Sequence, residues 1–174
     1  MMFCGHNVSI KPSTSNIKGI TNCSFGNNVR IHPYATIFTT DAKLIIGNYV
    51  ALGPKVTIMT GNHITNTIGQ FMWNVHVKTE GYDKDVIIED EIWVGSNVTI
   101  LSGARLGRGM VAAAGCIINK PMPPYSIVGG VPAKVLKFRF TIDEILQHEK
   151  ILYPENKRFT REQLQEIFQK YQKS

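Results

Sequence analysis

The sequence has no long apolar run and few charged residues. No stretch of it approaches the ~18 uncharged apolar residues that span a bilayer, and its first residues lack the basic and apolar regions of a secretory signal. We therefore expect a cytoplasmic protein with no integral membrane contact. Charged residues make up only 18% of the 174 residues and hydrophobic residues 43%, a composition that suits one globular domain and excludes a disordered chain.

Cysteine is scarce, and its spacing is uninformative. The three cysteines, Cys4, Cys23 and Cys116, are an odd number and lie far apart in the sequence. They match neither a disulfide framework nor the C-x-x-C pairs of a zinc site. We therefore predict no metal site, and we interpret all three cysteines as buried thiols.

Acidic residues are absent between Glu91 and Asp143. Six basic residues lie in this stretch: Arg105, Arg108, Lys120, Lys134, Lys137 and Arg139. On charge alone, an anionic ligand and a solvated basic surface are both open interpretations. Nucleic acid is disfavoured as a partner, because the basic residues are not interleaved with aromatic ones and no helix-turn-helix, zinc-finger or RNP motif is present.

A six-residue repeat of apolar residues decides the fold prediction. Its clearest run is Ile88, Val94, Ile100, Leu106, Ala112 and Ile118. A second apolar residue follows the first five of these after four positions: Ile92, Val98, Ala104, Met110 and Cys116. Neither an amphipathic helix nor a half-buried hairpin has this period.

The same repeat occurs upstream, with interruptions. It includes Phe25, Ile31, Ile37, Ile46, Leu52 and Ile58, after a looser beginning at Cys4 and Ile10. The phase slips between Ile10 and Phe25, and again by three residues between Ile37 and Ile46, which indicates irregular corners. A parallel β-helix fits this pattern, because three hexapeptides close one triangular coil of 18 residues and their apolar residues stack on the next coil. A β-sandwich gives no reason for a fixed phase.

Glycine and asparagine cluster where the turns of such coils are expected. The clusters are Gly26-Asn27-Asn28, Gly47-Asn48 and Gly95-Ser96-Asn97. We expect these residues to relieve the strain of positive φ.

Two segments depart from the repeat. Residues 64–85 interrupt it, and since stacked coils have no room for so long an insertion, we expect a loop that projects outwards. The five apolar residues within positions 71–77 of this loop suggest that it is ordered by packing against another surface: Phe71, Met72, Trp73, Val75 and Val77.

After Phe140 the pattern becomes helical, with capping boxes at Thr141-x-x-Glu144 and Thr160-x-x-Gln163. We interpret this tail as a cap over the end or side of the β-helix; a partner-binding or acceptor-gating tail is the alternative.

Three segments in order give the sequence a family resemblance. They are Gly61-Asn62-His63, then Ile92-Trp93-Val94-Gly95-Ser96-Asn97-Val98-Thr99-Ile100, then Pro123-Pro124-Tyr125-Ser126-Ile127-Val128-Gly129-Gly130-Val131-Pro132-Ala133-Lys134. With these, residues 25–140 resemble the hexapeptide-repeat acyltransferases, in particular the maltose and galactoside O-acetyltransferases, the xenobiotic acetyltransferases and the sugar O-acetyltransferases of capsule or lipopolysaccharide.

The resemblance makes the fold expectation specific. It implies an all-β fold, a left-handed parallel β-helix over residues 1–140 that carries the projecting loop at about 64–85, followed by a C-terminal helical extension over 141–174. It also implies a homotrimer with active sites between subunits, in which the loop reaches towards a neighbouring subunit.

His63 is the candidate general base. It lies where the repeat breaks, and it matches the position of the catalytic histidine in the enzymes that the sequence resembles. Of the other histidines, His32 and His76 are candidates for contacts with the substrate. A metal pair of His63 and His76 has no ligand-like spacing, and Cys116 at an inward position should be buried and unreactive.

The resemblance also implies a coenzyme A groove. Trp93, in an outward position, would be an apolar wall for the pantetheine arm, although it is also interpretable as a simple trimer contact. Six further residues match groove positions of the sugar acetyltransferases: Ser96, Ala114, Asn119, Lys120, Lys134 and Lys137. The three lysines would face the phosphates of the coenzyme.

The acceptor side is less defined. Asp41 matches an acid that contacts the acceptor in the galactoside enzymes, although Asp is equally common in turns. Pro33 replaces an asparagine that helps to hold the reactants in the galactoside enzymes, so the acceptor pocket of this chain should differ from theirs.

The sequence and its resemblance together predict transfer of an acetyl group from acetyl-CoA to a hydroxyl of a sugar or polysaccharide precursor. Acetylation of an amino sugar or antibiotic, and a non-catalytic β-helix scaffold, are the alternatives.

Overall fold

Short parallel strands form a triangular prism in this chain, as seen in a computed structural model that describes residues 2–172. The last two residues of the predicted 141–174 extension lie outside the described residues. The prism is the parallel β-helix expected from the hexapeptide repeat, with the left hand that the family resemblance implied. Each of the first five coils contributes one strand to each of three sheets, called A, B and C here, and the last coil adds strands to sheet B only.

The strands follow one another around the prism in the order A, B, C. Sheet A contains β1 (Phe3–Cys4), β4 (Cys23–Phe25), β7 (Leu44–Ile46), β10 (Val86–Ile88) and β13 (Arg105–Leu106). Sheet B contains β2 (Val8–Ser9), β5 (Val29–Ile31), β8 (Val50–Leu52), β11 (Trp93–Val94), β14 (Val111–Ala112), β16 (Ser126–Gly129) and β17 (Lys134–Phe138). Sheet C contains β3 (Asn16–Lys18), β6 (Thr36–Phe38), β9 (Thr57–Met59), β12 (Thr99–Ile100) and β15 (Ile117–Ile118). Every strand pair is parallel except β16 with β17.

The repeat residues form the core, as predicted. In sheet B the aligned residues Ile31, Leu52, Val94 and Ala112 are all buried. Each apolar side chain lies on the equivalent side chain of the next coil, and complete burial of such a side chain contributes about 1.5–3 kcal/mol.

After the first coil, insertions are confined to one corner of the prism. From Phe25 onward, aligned inward residues are always six apart from A to B and from B to C, as in Phe25, Ile31 and Ile37. From C to A the interval varies, because segment 39–43 and segment 60–85 both lie there. The slip between Ile37 and Ile46 is thus an irregular C–A corner. The earlier slip, between Ile10 and Phe25, is divided between the B–C and C–A corners, because Ile17 is the residue aligned with Ile37.

The turn residues follow the expectation only in part. Asn28 and Asn97 adopt positive φ, as predicted, but Gly26, Gly47 and Gly95 do not. A Cβ at Gly26 would overlap the backbone of Gly47 in the next coil. These glycines therefore allow close approach of coils, and the prediction that they relieve positive φ was wrong.

Two of the three cysteines have the predicted burial. Cys23 and Cys116 are buried, and burial raises the pKa of both thiols, so they are poor nucleophiles. Cys4 is exposed, contrary to the prediction. It belongs to β1, which has a neighbouring strand on one side only.

The projecting loop presents its apolar side chains to solvent. It contains a 3₁₀ turn at Met72–Asn74, and Phe71 and Trp73 are 82% and 84% exposed. Of the five apolar residues that suggested ordering, only Val75 is partly buried. The chain itself therefore does not supply the surface against which this loop would order.

The C-terminal tail forms two helices, α1 (Ile142–Leu152) and α2 (Arg161–Gln172). Both predicted capping boxes are present: Thr141 with Glu144, and Thr160 with Gln163. Among the described residues, no helix has the length and apolar character needed to cross a membrane.

Hydrogen bonds and ion pairs, one of them to a buried carboxylate, fasten the tail to the A–B corner. The carboxylate of Glu149 in α1 accepts a hydrogen bond from Tyr125 Oη at 2.6 Å and pairs with Arg108 at 2.9 Å. Burial first, and then the neighbouring Glu149, raises the pKa of Tyr125. Glu91 similarly binds Arg139 at 3.1 Å and His148 at 2.9 Å. The helices therefore cover the side of the prism.

Removal of the buried carboxylate should destabilise the protein far more than removal of an exposed one. Glu149→Ala leaves Arg108 without its partner in a largely buried position, and we expect the free energy of unfolding to fall by about 3–5 kcal/mol. Asp143 lies in the same helix as Glu149 but forms an exposed pair with Arg161 of α2. Asp143→Ala breaks this pair and should cost less than about 1 kcal/mol. Urea denaturation measures both variants, and equal losses would contradict the anchoring role of Glu149.

Candidate active site

One pocket at the C–A corner brings together three of the singled-out residues. Asp41, His63 and His76 line a cavity of about 380 Å³. Asp41 follows β6, His63 follows β9 in the next coil, and His76 comes from the projecting loop. Variable spacing at this corner thus places an acid and two imidazoles around one cavity.

Asp41 is held as a carboxylate. Its Oδ2 accepts a hydrogen bond from Thr40 Oγ1 at 2.8 Å, and its Oδ1 lies 3.2 Å from Lys78 Nζ. These contacts, that with Thr40 first, lower the pKa of Asp41. Gly61 lies against this group, and a Cβ there would overlap Asp41 Oδ2. The side chain remains 42% exposed, so a ligand can still reach the carboxylate.

His63 follows directly on the Gly61-Asn62 segment. Its imidazole is exposed and lines the pocket that contains Asp41. Gly61 allows the chain to pass close to Asp41, so the next coil contributes a base beside the acid. The sequence alone gave no indication of this contact between coils.

Lys78 also lines the pocket and was missed by the sequence analysis. It bridges Asp41 and Asp83, at 3.2 and 2.7 Å. One sequence signal was present, since all the charged residues of the loop lie in its last eight positions, from Lys78 to Asp85.

The predicted coenzyme residues fall into separate groups. Trp93 projects from sheet B beside Ala51 and Val111, and its side chain is 61% exposed. Ser96 and Ala114 follow the strands of sheet B, at the B–C corner. The carbonyl of Ser96 accepts the N–H of Gly115 at 2.9 Å, and Ala114 is exposed. These three residues thus lie on two successive coils, on sheet B and at the B–C corner that follows it.

The remaining coenzyme candidates lie elsewhere. Asn119 and Lys120 follow β15 at the C–A corner, and Lys134 and Lys137 belong to β17, the edge strand of sheet B. All four are exposed.

His32 is not beside Asp41. It lies at the B–C corner, in a second cavity of about 360 Å³ that Arg30 and Tyr49 also line. His32 and Asp41 therefore lie at opposite ends of the strands of sheet C. Within one chain they do not form a common pocket.

Comparisons with known proteins identify relatives of similar fold. No family model matches the chain. It is 30% identical over 131 residues to a galactoside O-acetyltransferase of Lactococcus lactis subsp. lactis, which covers 75% of this chain and 60% of that protein. It is 35% identical over 115 residues to a probable macrolide acetyltransferase of Lysinibacillus sphaericus, which covers 59% of this chain and 64% of that protein. The chain thus spans about three fifths of the length of these curated relatives.

The similarity extends to solved structures. A hexapeptide-repeat acetyltransferase of Vibrio cholerae, crystallised with acetyl coenzyme A, superimposes with a TM-score of 0.70 at 27% identity, over 80% of this chain and 72% of that one. The chain is therefore similar in sequence and in fold to this group of proteins, as the sequence analysis indicated.

The hydroxyl of Thr40 should control the ionisation of Asp41. A hydrogen bond to a carboxylate favours its charged form, so Thr40→Val should raise the pKa of Asp41 towards its ordinary value. As the pH falls, the variant then loses its negative charge at Asp41, and with it the ion pair to Lys78, earlier than the wild type. A carboxyl-detected NMR titration measures this change. Thr14→Val, remote from the pocket, is the control, and an unchanged pKa of Asp41 in Thr40→Val would refute the assignment.

Proposed function

From the similarity to hexapeptide-repeat acetyltransferases, we propose that this chain transfers an acetyl group from acetyl-CoA to a hydroxyl of a sugar or polysaccharide precursor. The observation that carries this proposal is the pocket in which His63 and the carboxylate of Asp41 meet. A base beside a hydrogen-bond acceptor is the arrangement needed to bind a hydroxyl and to remove its proton. A scaffold protein has no need of it.

His63 is the general base in this proposal. A sugar hydroxyl is too weakly acidic to attack a thioester unaided at neutral pH, and imidazole is suited to accept its proton there. The hydroxyl oxygen bonds to the carbonyl carbon while its proton moves to His63. The C–S bond then breaks, and the imidazolium returns the proton to the thiolate of coenzyme A. A backbone N–H of a coil stabilises the tetrahedral oxyanion.

Asp41 is the acceptor-binding group. A carboxylate accepts hydrogen bonds from hydroxyls, and the hydrogen bond from Thr40 helps to keep Asp41 ionised. His76 lines the same cavity and has a secondary role in contacting the acceptor.

The coenzyme binds along the surface of Trp93, Ser96 and Ala114. The exposed indole packs on the pantetheine arm, and the small residues let the arm approach the coil backbone. Asn119 lies at the C–A corner, where it lines the part of the coenzyme path that a neighbouring subunit supplies. Lys120, Lys134 and Lys137 face the phosphates as point charges. Acetyl-CoA is thus the cosubstrate, and we place the protein in the cytoplasm, where this coenzyme is available.

The separation of these groups supports a homotrimer with shared sites. Reacting atoms must come within about 3–3.5 Å, whereas even one three-residue strand is about 10 Å long. Trp93 and His63 lie on different faces of one prism, so His63 of one subunit completes the site with Trp93 of the next. The exposed apolar residues of the projecting loop fit a contact with that neighbour, since apolar patches of this kind mark interaction surfaces.

The second candidate acceptor is an amino sugar or an antibiotic. The 35% identity with a probable macrolide acetyltransferase favours it. Purified protein supplied with acetyl-CoA and separate panels of sugars, nucleotide sugars and antibiotics, with thiol release as the readout, distinguishes the acceptors. A non-catalytic scaffold would release no thiol and would show no thermal shift with coenzyme A.

Loss of the imidazole should reduce turnover without loss of binding. A positioned general base contributes about 10²- to 10⁴-fold, so His63→Ala should lower kcat by that factor, with the KM for acetyl-CoA and the subunit assembly little changed. His76→Ala is the matched control on the other side of the cavity and should be mild. If His63→Ala retains more than about a third of the wild-type kcat, His63 is not the general base.

Subunit complementation tests the shared site. Sedimentation equilibrium should give about three times the chain mass of 19.5 kDa. Ala114→Trp should block the coenzyme path, so this variant and His63→Ala should each be inactive alone. In trimers co-expressed from both, about a quarter of the sites combine an intact His63 with an intact Ala114 and should be active.

A double variant is the control for this mixing. A chain that carries both changes, co-expressed with His63→Ala, contains no intact His63 and should restore nothing. A monomer, or inactive mixed trimers, would show that each site is complete within one chain.

A further inference from the structure

The last part of the projecting loop folds back onto the coil beside His63. Residues 78–83 are called the return arm here. The tip of the loop before it is exposed, as Phe71 and Trp73 show. In contrast, the side chain of Asp83 in the return arm is only 9% exposed and that of Lys78 29%. The loop thus consists of an exposed apolar tip and a charged arm that packs against the prism.

The return arm binds the backbone on both sides of the His63 Cα. Asp83 Oδ1 accepts a hydrogen bond from the N–H of Asn62 at 2.8 Å. Tyr82 Oη donates a hydrogen bond to the carbonyl of His63, also at 2.8 Å. One contact holds the 61–62 peptide unit and the other the 63–64 peptide unit, so together they restrict the backbone on either side of His63.

The coil itself provides less restraint at this point. Strand β9 ends at Met59, and the N–H of Thr60 still bonds to Phe38 of the preceding coil at 3.1 Å. Gly61 then follows, which must lack a side chain to pass Asp41 and is the most flexible type of residue. The segment that leads to His63 therefore depends on the return arm where the strand pairing ends.

Lys78 links the return arm to the acid of the same pocket. Its ammonium group lies between Asp83 Oδ2 at 2.7 Å and Asp41 Oδ1 at 3.2 Å. Pairing with Asp83, and then with Asp41, raises the pKa of Lys78, so the bridge stays charged at neutral pH. One cation thereby ties the arm that holds the base to the carboxylate beside it.

We propose that Tyr82, Asp83 and Lys78 are positioning residues that hold His63 in its reactive orientation relative to Asp41. This proposal rests on the proposed role of His63 as general base. Positioning of this kind has a large effect on rate, because a misplacement of about 1 Å can cost on the order of 10²-fold. In this scheme Tyr82 and Asp83 act through the backbone of segment 61–63. Lys78 acts through its ion pairs with Asp83 and Asp41.

Amide exchange tests the contact without reference to activity. In wild-type protein the N–H of Asn62 should be protected from hydrogen exchange, as measured by NMR. In Asp83→Ala its exchange should accelerate at least about tenfold, whereas the N–H of Thr60, which bonds to Phe38 of the preceding coil, should be unchanged. An unprotected Asn62 amide in the wild type, or equal protection in Asp83→Ala, would overturn the proposal.

Kinetics test the consequence for the base. Tyr82→Phe removes one hydroxyl and should lower kcat about 10- to 100-fold while the KM for acetyl-CoA stays the same. Lys78→Met should do likewise, and Lys78→Arg, which keeps the cation, should restore most of the loss. Glu80→Gln removes an exposed carboxylate from the same arm and should leave kcat unchanged.

The two proposals fail in different ways. If the wild type transfers no acetyl group to any acceptor of the panels, the proposed function is wrong, and the exchange of the Asn62 amide still decides whether the arm holds this segment. If the wild type is active but Tyr82→Phe and Lys78→Met keep kcat within about twofold, the positioning role is refuted. An equal rise in the KM for acetyl-CoA in all the arm variants would also refute it, since that indicates damage to assembly.

Discussion

The stacking of coils in register is the constraint on which the rest of this structure depends. A parallel β-helix gains its core only if each inward side chain lies on its counterpart in the next coil, so the intervals from A to B and from B to C stay at six residues from Phe25 onward. The A–B and B–C corners are also closely packed, because a Cβ at Gly26 in the first or at Gly53 in the second would overlap the backbone of the next coil. Added residues are therefore tolerated at the C–A corner, and the proposed chemistry is found where the fold permits irregularity.

Much of the fold followed from the sequence, because the repeat is a local property. The period identifies the inward residues one hexapeptide at a time, and its slips locate the variable corner. The burial of Cys4 was predicted wrongly for a physical reason: the hexapeptide phase does not show which coil is the last, and a terminal coil has a neighbour on one side only. The capping boxes of the tail were likewise predicted from the sequence, because they are local. The side of the prism against which the tail packs could not be predicted.

The candidate site was only partly predictable, since its contacts join distant segments through side chains. His63 was identified by the break in the repeat together with the family resemblance. Its neighbourhood depends on the pairing of Lys78 with Asp41, 37 residues apart, and no periodicity encodes that pairing. The sequence also could not predict that the candidate coenzyme residues lie at different corners of the prism. Residues that match the groove positions of related enzymes need not lie on the same face of one chain.

The acid-free stretch between Glu91 and Asp143 shows how charge in sequence differs from charge on a surface. Its three arginines are structural: Arg105 binds Glu89, Arg108 binds Glu149, and Arg139 binds Glu91. Each of these partners lies outside the stretch, two before it and one after it. Within residues 2–172, Lys120, Lys134 and Lys137 form no ion pair and are exposed. The segment therefore offers an anionic ligand three cations rather than six. Arg108 and Arg139 instead fix the tail to the A–B corner, away from the C–A corner of the proposed acceptor pocket.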